Sequence, residues 1–383
     1  MTKSQVPQKR NGRERRKRPD PCLVLVLSFL LLFGLIILYS STGYVDAKEH
    51  PGNPYYTITR QSVFLLLALA VMVAVTRIDY HRLVGLAWIL YPVSVLLGIL
   101  VLFFGREVNG QKRWFAVGPI SFQPAEFAKL TLILTLTSFF HRHYQESSRL
   151  SLIGRAVLLT LPVFLPVVDA NLSSGLIIAG IAFFLTFTAS ERKPLFFLLV
   201  AAVLVFCVAA YQSGLLASVL DEYQMNRVYA WLDPEQFPLS NGFQVLQGLY
   251  AIGAGGLFGV GLGNSLQKLG YLPEAQNDMI FSIICEELGL TGAVFLMILF
   301  VILMWRFLVI AVHAADDEGM FLTAGVMIHI GIQVLLNISV VTNTIPNTGV
   351  SLPFISYGGS SLLFLLTEIG IVFRVSTEPN AIN

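Results

Sequence analysis

The chain has 383 residues, of which 55% are hydrophobic and only 13% are charged, and its formal net charge is +2. A soluble domain carries about 25% charged residues, so this composition excludes an ordinary soluble globular protein. Apolar runs of about 20 residues, the length of a helix that crosses a bilayer, recur along the chain and predict an all-α polytopic membrane protein.

Ten apolar stretches predict ten transmembrane helices, with a large extracytoplasmic loop between the seventh and the eighth. The predicted spans are residues 22–40, 60–77, 83–104, 124–140, 153–168, 171–189, 194–213, 279–306, 319–341 and 355–373. The chain therefore divides into a basic tail (1–21), a transmembrane domain (22–375) and a short C-terminal tail (376–383).

The N-terminal tail, residues 1–21, is strongly basic. Most of the 25 Lys and Arg residues fall on the same side of the predicted spans as this tail, which by the positive-inside rule places both termini in the cytoplasm. The tail could bind acidic headgroups of membrane lipids or a cytoplasmic partner, and a solvated topology signal is the simpler interpretation. Cys22, Cys207 and Cys285 lie far apart in or beside apolar runs, which indicates packing residues rather than disulfides or a zinc site.

The predicted outer loop 105–123 is basic and aromatic, with Arg113 followed by Trp114. Arg60 and Arg227 add positive charge on the same side of the membrane. These residues could capture an anionic lipid headgroup, and scattered interfacial anchors are the alternative.

Glu126 and Lys129 stand three residues apart near the outer end of the fourth predicted span. This spacing places them on one helix face. Ionisable residues inside a membrane are costly, and they mark polar pathways more often than they add stability. We therefore favour a charged pair that lines a polar cavity over a neutral pair that only makes the span insertable.

The predicted loop 214–278 is too long and too apolar for a plain linker. Phe243, Leu246 and Tyr250 recur at helical spacing and predict a short amphipathic helix at the membrane interface. Residues 252–265 are rich in glycine, but no Lys-Ser/Thr follows and no strand–helix unit surrounds them, so a nucleotide P-loop is not supported. Tight backbone packing is the favoured interpretation of these glycines, and an anion-binding nest is the alternative.

Asp278 ends this loop and precedes an apolar helix that contains Glu286 and Glu287. Asp278 could cap that helix. It could also act as a general base at the membrane surface, because partial desolvation would raise its pKa toward the working pH. For Glu286 and Glu287 we favour internal pairing or a tie between helices over chemistry.

Several motifs resemble the signatures of the SEDS family, to which FtsW, RodA and the sporulation protein SpoVE belong. They are Asn109-Gly-Gln-Lys-Arg-Trp-Phe, Gln123-Pro-Ala-Glu-Phe-Ala-Lys129, Leu272-Pro-Glu-Ala-Gln-Asn-Asp278 and Asn347-Thr-Gly-Val-Ser-Leu-Pro-Phe-Ile-Ser-Tyr-Gly-Gly-Ser-Ser361. The resemblance covers about residues 22–375, and the run that begins at Asn277-Asp278 is more similar to FtsW than to RodA. The chain departs from the family at Asn171, where the common motif has an aspartate.

The resemblance implies a peptidoglycan glycosyltransferase of the cytoplasmic membrane that polymerises lipid II at the outer face, inverts the sugar and releases undecaprenyl diphosphate. Asp278 matches the essential aspartate of the family, and Glu126 with Lys129 matches its charged pair. Arg113, Trp114, Arg60, Ser356 and Gly358 are expected to bind substrate. We expect a septal role in cell division, and a lipid II flippase, a structural scaffold, or an elongation or sporulation polymerase is the alternative.

The resemblance also implies partners. A class B penicillin-binding protein and other divisome membrane proteins are expected, and a nucleic acid is not. No metal-ligand cluster is evident in the sequence, although a divalent cation could help to neutralise the diphosphate.

Overall fold

The computed structural model describes residues 19–108, 111–117, 120–143, 150–213, 222–237 and 241–378. Most of the two predicted tails therefore lies outside the described residues. Within them the chain forms twelve helices and one small sheet. The helices are α1 (Pro21–Glu49), α2 (Tyr56–Arg77), α3 (Tyr80–Phe104), α4 (Pro124–His143), α5 (Leu150–Ala170), α6 (Leu172–Ala189), α7 (Lys193–Gln212), α8 (Glu222–Leu232), α9 (Asn241–Gly255), α10 (Ile280–Val312), α11 (Asp317–Val341) and α12 (Gly359–Thr377).

The ten predicted spans coincide with α1–α7 and α10–α12. Among the described helices, nine are long and apolar enough to cross a membrane, and α4 is the one of the ten that is not. Glu126 and Lys129 make α4 more polar, yet nearly all of its side chains from Pro124 to Phe140 are buried. It packs against α3, α5, α6, α11 and α12. A helix that is enclosed by other helices needs no apolar face toward lipid, so we infer that α4 is the tenth span.

The predicted loop 105–123 contains an antiparallel sheet that the sequence analysis does not predict. Its strands are β1 (Arg106–Val108), β2 (Gln111–Val117) and β3 (Ile120–Phe122), in the order β1-β2-β3. The register pairs Arg106 with Trp114 and Phe115 with Phe122. Because only Gln123 separates β3 from Pro124, the sheet adjoins the N-terminal end of α4.

The helix α10 is broken at Gly289, whose backbone has φ 66° and ψ −163° inside the helix. Glycine is the residue that adopts such a conformation without strain. The glycine-rich segment that follows α9 fills the break: Leu290 N donates to Gly256 O at 2.9 Å, and Val260 N donates to Glu286 O at 2.9 Å. The N-terminal part of α10 therefore forms one unit with the loop that precedes it.

Candidate active site

Asp278 lies two residues before the start of α10 at Ile280. The helix has Met279 as its N-cap and no side-chain cap hydrogen bond, so the Asp278 carboxylate does not cap it. The residue is only 7% exposed. The capping role that the sequence leaves open is therefore wrong, and the buried carboxylate needs another explanation.

The pKa of Asp278 is raised from its ordinary value of 3.8 to about 7. Burial is the main cause, and the negative charge of Glu274 adds to it, whereas Arg227 and a hydrogen bond from Gln244 act in the opposite direction. A carboxylate with a pKa near neutrality is available as a base at physiological pH and holds an accepted proton well. These are the properties that the sequence analysis expects of a general base.

A chain of polar contacts joins Asp278 to an arginine on a neighbouring helix. Gln244 Nε2, on α9, lies 3.5 Å from Asp278 Oδ1. Gln244 Oε1 accepts a hydrogen bond of 2.9 Å from Asn347 Nδ2. Arg227 Nη1, on α8, donates to Asn347 O at 3.0 Å. The carboxylate is therefore connected to a positive charge through two neutral amides.

The segment between α11 and α12 forms the opposite wall of the site. Asn337 Nδ2, near the C-terminal end of α11, donates to Asp278 O at 2.8 Å and to Val350 O at 2.7 Å. A Cβ atom added to Gly349 would lie 3.7 Å from Asp278 Oδ2. Gly349 has φ +69°, a conformation that favours glycine, so the chain can pass close to the carboxylate here.

A cavity of about 340 Å³ lies beside this wall. Two arginines, Arg113 and Arg227, line it together with Asn347, which also bonds to Gln244. Its other polar lining residues are Gln111, Asp169, Asn171, Ser173 and Thr348. Guanidinium groups bind phosphates through paired N–H donors. The two arginines therefore suit this cavity to an anionic group, and Asn347 connects the cavity through Gln244 to Asp278.

The sheet separates the two residues that the sequence analysis groups as a basic and aromatic pair. Arg113 Nε donates to Ala170 O at 3.0 Å and faces the cavity. Trp114 is the next residue of β2, and successive side chains of a strand point to opposite faces. Arg113 therefore meets the cavity, while Trp114 lies half-buried on the other face.

Glu126 and Lys129 form a buried ion pair with 2.6 Å between Lys129 Nζ and Glu126 Oε1. Ser361 Oγ donates to Glu126 Oε2 at 3.3 Å. The prediction that the pair shares one helix face is confirmed, and its contact with substrate stays a prediction. A second buried pair that the sequence analysis missed joins α11 to α12, with 2.8 Å between His329 Nδ1 and Glu368 Oε2.

Glu286 and Glu287 connect the loop that precedes α10 to the helices. Lys268 Nζ lies 2.6 Å from Glu287 Oε1, and Ser40 Oγ of α1 donates to both oxygens of Glu287. Glu286 Oε1 accepts from Leu266 N at 2.9 Å. The prediction that these two acids tie elements together is confirmed.

The favoured interpretation of the glycine-rich segment is also confirmed. A Cβ atom on Gly255 would lie 1.8 Å from Cys285 O, so only glycine fits there. The amides of Val260 and Gly261 donate to the carbonyl groups of Glu286 and Glu287. These amides are occupied by α10, which argues against an anion nest at this point.

Three of the predicted substrate-binding residues make hydrogen bonds within the protein. Arg60 Nη1 donates to Tyr56 OH at 3.1 Å on α2. Ser356 Oγ donates to Asn277 O at 2.6 Å and so braces the residue before Asp278. Gly358 N donates to Gln61 Oε1 at 3.3 Å. Their role in substrate binding stays a prediction.

No group of three or more His, Cys, Asp or Glu is placed to hold a metal ion in the part of the chain that the structure describes. Asp278 has amide neighbours, and Glu274 and Asp169 are the other acids that the structure places near it or in the adjoining cavity. The participation of a divalent cation stays a prediction.

Sequence reasoning missed the three amides of the site, Gln244, Asn337 and Asn347, as functional residues. One signal was available for Asn337, because an asparagine within a predicted span is a polar group that must find a partner. Gln244 and Asn347 stand in polar segments, where an amide side chain is ordinary and does not indicate a functional residue.

The chain matches a family model for FtsW, RodA and SpoVE, described as "Cell cycle protein", over residues 20–381. The stage V sporulation protein E of Bacillus subtilis is 36% identical over 367 residues, which are 94% of this chain and 98% of that protein. The probable peptidoglycan glycosyltransferase FtsW of Geobacter metallireducens is 35% identical over 373 residues, which are 94% of this chain and 96% of that protein.

Solved structures have the same fold. A chain from a peptidoglycan synthase complex, described as coordinating polymerization and crosslinking, has a TM-score of 0.76 and 32% identity, with coverage of 94% of this chain and 97% of that chain. The rod shape determining protein RodA of Thermus thermophilus has a TM-score of 0.67 and 29% identity, with coverage of 94% and 96%.

Proposed function

The chain belongs to the SEDS family of FtsW, RodA and SpoVE, and we infer that it is a peptidoglycan glycosyltransferase that polymerises lipid II into glycan strands. The observation that carries this inference is the buried carboxylate of Asp278, which does not cap α10 and is connected through Gln244 and Asn347 to a cavity lined by Arg113 and Arg227. Glycosyl transfer from a lipid diphosphate needs a base for the attacking hydroxyl and positive charge for the leaving group. Asp278 would supply the base, and the two arginines line a cavity that Asn347 and Gln244 connect to it.

In the proposed reaction, the 4-hydroxyl oxygen of the acceptor sugar attacks C1 of the donor sugar. The C1–O bond to undecaprenyl diphosphate breaks as the new glycosidic bond forms, and C1 is inverted. Asp278 accepts the hydroxyl proton and later returns it to solvent. Its pKa of about 7 suits both steps, because the carboxylate is ionised before the attack and protonated after it.

The leaving diphosphate gains negative charge in the transition state. Arg113 and Arg227 line the cavity from opposite elements, β2 and α8. Fixed positive groups stabilise such developing charge with little reorganisation, since they are held in place before the reaction starts. We propose that the diphosphate occupies this cavity, with its lipid tail between the helices.

The chain is a multi-pass membrane protein. We propose that both termini are cytoplasmic and that Asp278 faces the outer side. The distribution of Lys and Arg supports this orientation, as does Arg374 near the inner end of α12. Accessibility of single cysteines introduced near Asp278 and Arg374 to an impermeant thiol reagent would test it.

We propose septal synthesis with a class B penicillin-binding protein as the cellular role. Its support is the similarity to several FtsW proteins and to a chain of a peptidoglycan synthase complex. The similarity to SpoVE keeps sporulation as an alternative. Complementation of strains depleted of each family member would separate these roles.

A lipid II flippase is the second candidate, and the buried pairs Glu126–Lys129 and His329–Glu368 favour it because they place polar groups inside the bundle. The discriminating experiment follows glycan-strand formation and lipid II translocation by the purified chain in vesicles, with and without a penicillin-binding partner. Polymer from the wild type and none from Asp278→Asn supports the polymerase. Translocation without polymer would replace it by the flippase.

A further inference from the structure

Two buried amides, Gln333 and Asn337, lie in the C-terminal half of α11. Asn337 is fully buried, and Gln333, one turn closer to the membrane centre, is 2% exposed. Gln333 Nε2 donates to Ser351 O at 3.1 Å. Asn337 Nδ2 donates to both Asp278 O and Val350 O. Both amides hold the segment after α11, but only Asn337 also holds Asp278.

The two acceptors of Asn337 belong to opposite walls of the site. Asp278 O is on the loop before α10, and Val350 follows Gly349, which approaches Asp278 Oδ2. A single amide nitrogen thus fixes the separation between the main chain of the carboxylate and the wall that it faces. Both partners are carbonyl oxygens, so the side chain at this position must donate two hydrogen bonds.

The direction of the Asp278 side chain depends strongly on its main chain. Its carboxylate has a long contact of 3.5 Å to the Gln244 side chain and a hydrogen bond with its own main-chain N–H, and it makes no cap hydrogen bond with α10. A displacement of the Asp278 main chain would carry the carboxylate with it. The hydrogen bond from Asn337 to Asp278 O opposes that displacement.

A general base must lie within hydrogen-bond reach of the hydroxyl that it deprotonates, and a misplacement of about 1 Å can lower a rate by about 100-fold. We propose that Asn337 is a positioning residue for the glycosyl transfer, which holds the Asp278 main chain against the Gly349–Val350 wall so that the carboxylate meets the acceptor hydroxyl. This inference rests on the proposed function of Asp278.

The test compares Asn337→Leu and Asn337→Ser with Gln333→Leu, a matched control that loses a hydrogen bond to the same segment without touching Asp278. Lipid II polymerisation by each purified variant is measured from pH 5 to pH 9. We expect Asn337→Leu to lower kcat by about 10- to 100-fold with KM within about threefold, and to move the acidic limb of the pH profile. Asn337→Ser keeps one hydrogen-bond donor, so its kcat should lie between those of the wild type and Asn337→Leu. Gln333→Leu should keep the wild-type pH profile.

Three results would overturn the role of Asn337. The first is a folded Asn337→Leu variant with wild-type kcat and pH profile. The second is an equal loss of kcat in Asn337→Leu and Gln333→Leu with no change of profile. The third is unfolding of both Asn337 variants while Gln333→Leu folds, since this would make Asn337 a structural residue. Asp278→Asn is measured in the same assay. If it polymerises normally, the proposed role of Asp278 as the base is wrong. If it is inactive, the comparison of the Asn337 variants with Gln333→Leu tests the role of Asn337 separately.

Discussion

Replacement of Asp278 by Asn should stabilise the folded protein at pH 8 while it removes polymerisation. Asparagine has almost the same shape but carries no charge. Asp278 is 7% exposed, and its ionised form is therefore poorly solvated in the folded chain. The substitution removes this cost together with the base, so stability and activity should change in opposite directions.

The size of the effect follows from the pKa of Asp278, which burial raises from 3.8 to about 7. Because the folded-state pKa is the higher one, the contribution of this group to stability is greatest below pH 4, falls as the pH rises to about 7, and is constant above that. The full difference is on the order of 4 kcal/mol at about 1.4 kcal/mol per pKa unit. Little more than a third of this stability contribution is lost by pH 5. The gain in unfolding free energy from Asp278→Asn should therefore be about 2–3 kcal/mol larger at pH 8 than at pH 5.

Thermal unfolding in detergent, followed by the fluorescence of the four Trp residues, measures this difference at the two pH values. Glu235→Gln is a suitable control, because Glu235 is an exposed acid on the same side of the membrane. We expect the melting temperature of Asp278→Asn to exceed that of the wild type by clearly more at pH 8 than at pH 5, and Glu235→Gln to follow the wild type. An Asp278→Asn advantage that is equal at both pH values, or a loss of stability at pH 8, would refute the reasoning.

Three further substitutions test the electrostatics of the site. Glu274→Gln removes a neighbouring negative charge, so the acidic limb of the pH–rate profile should move to lower pH, and a limb that moves upward would contradict the pKa assignment. Arg227→Met removes a positive charge that favours ionised Asp278, so the limb should move to higher pH and the KM for lipid II should rise; an unchanged KM would remove Arg227 from the binding site. Lys129→Met leaves Glu126 buried without its partner and should lower the unfolding free energy by about 3–5 kcal/mol, with reduced lipid II turnover. Most of the stability, but not the turnover, should return in Lys129→Met/Glu126→Gln, and wild-type turnover in these variants would leave the pair with a role in stability only.

The membrane spans were predictable because each apolar helix carries its own signal in its length and composition. Even α4 was predicted, although its two charged residues make it more polar than the other spans. The sheet that contains Arg113 and the break of α10 at Gly289 were not predicted. The break depends on a contact between segments that are distant in sequence, the hydrogen bond from Leu290 N to Gly256 O. The sheet pairs neighbouring segments, such as Arg106 with Trp114, but its three strands are short.

The charged residues of the site stood out in the sequence because a carboxylate or ammonium group beside hydrocarbon is costly. Asp278, Glu126 and Lys129 were recognised in this way. The amides were not recognised, since Asn337 reaches Asp278 across 59 residues of sequence and Gln244 reaches it across 34. A neutral amide costs less to bury, and its role becomes visible only when the fold supplies its partners.

The interpretation of Glu286 and Glu287 shows the same limit. Their structural role was predicted from their position inside an apolar helix, two turns beyond Asp278. Their partners, Lys268 and Ser40, lie 19 and 247 residues from Glu287 and could not be predicted from local pattern.

The most direct test of Asp278 as the general base is the initial rate of glycan-strand formation from lipid II between pH 5 and pH 9. The wild-type rate should rise with pH and level off above an apparent pKa of about 7, since the carboxylate must be ionised before it accepts the hydroxyl proton. Asp278→Asn should be lower by about 100- to 10,000-fold at every pH. A wild-type rate that does not change across this range, or a comparable rate for Asp278→Asn, would contradict the account.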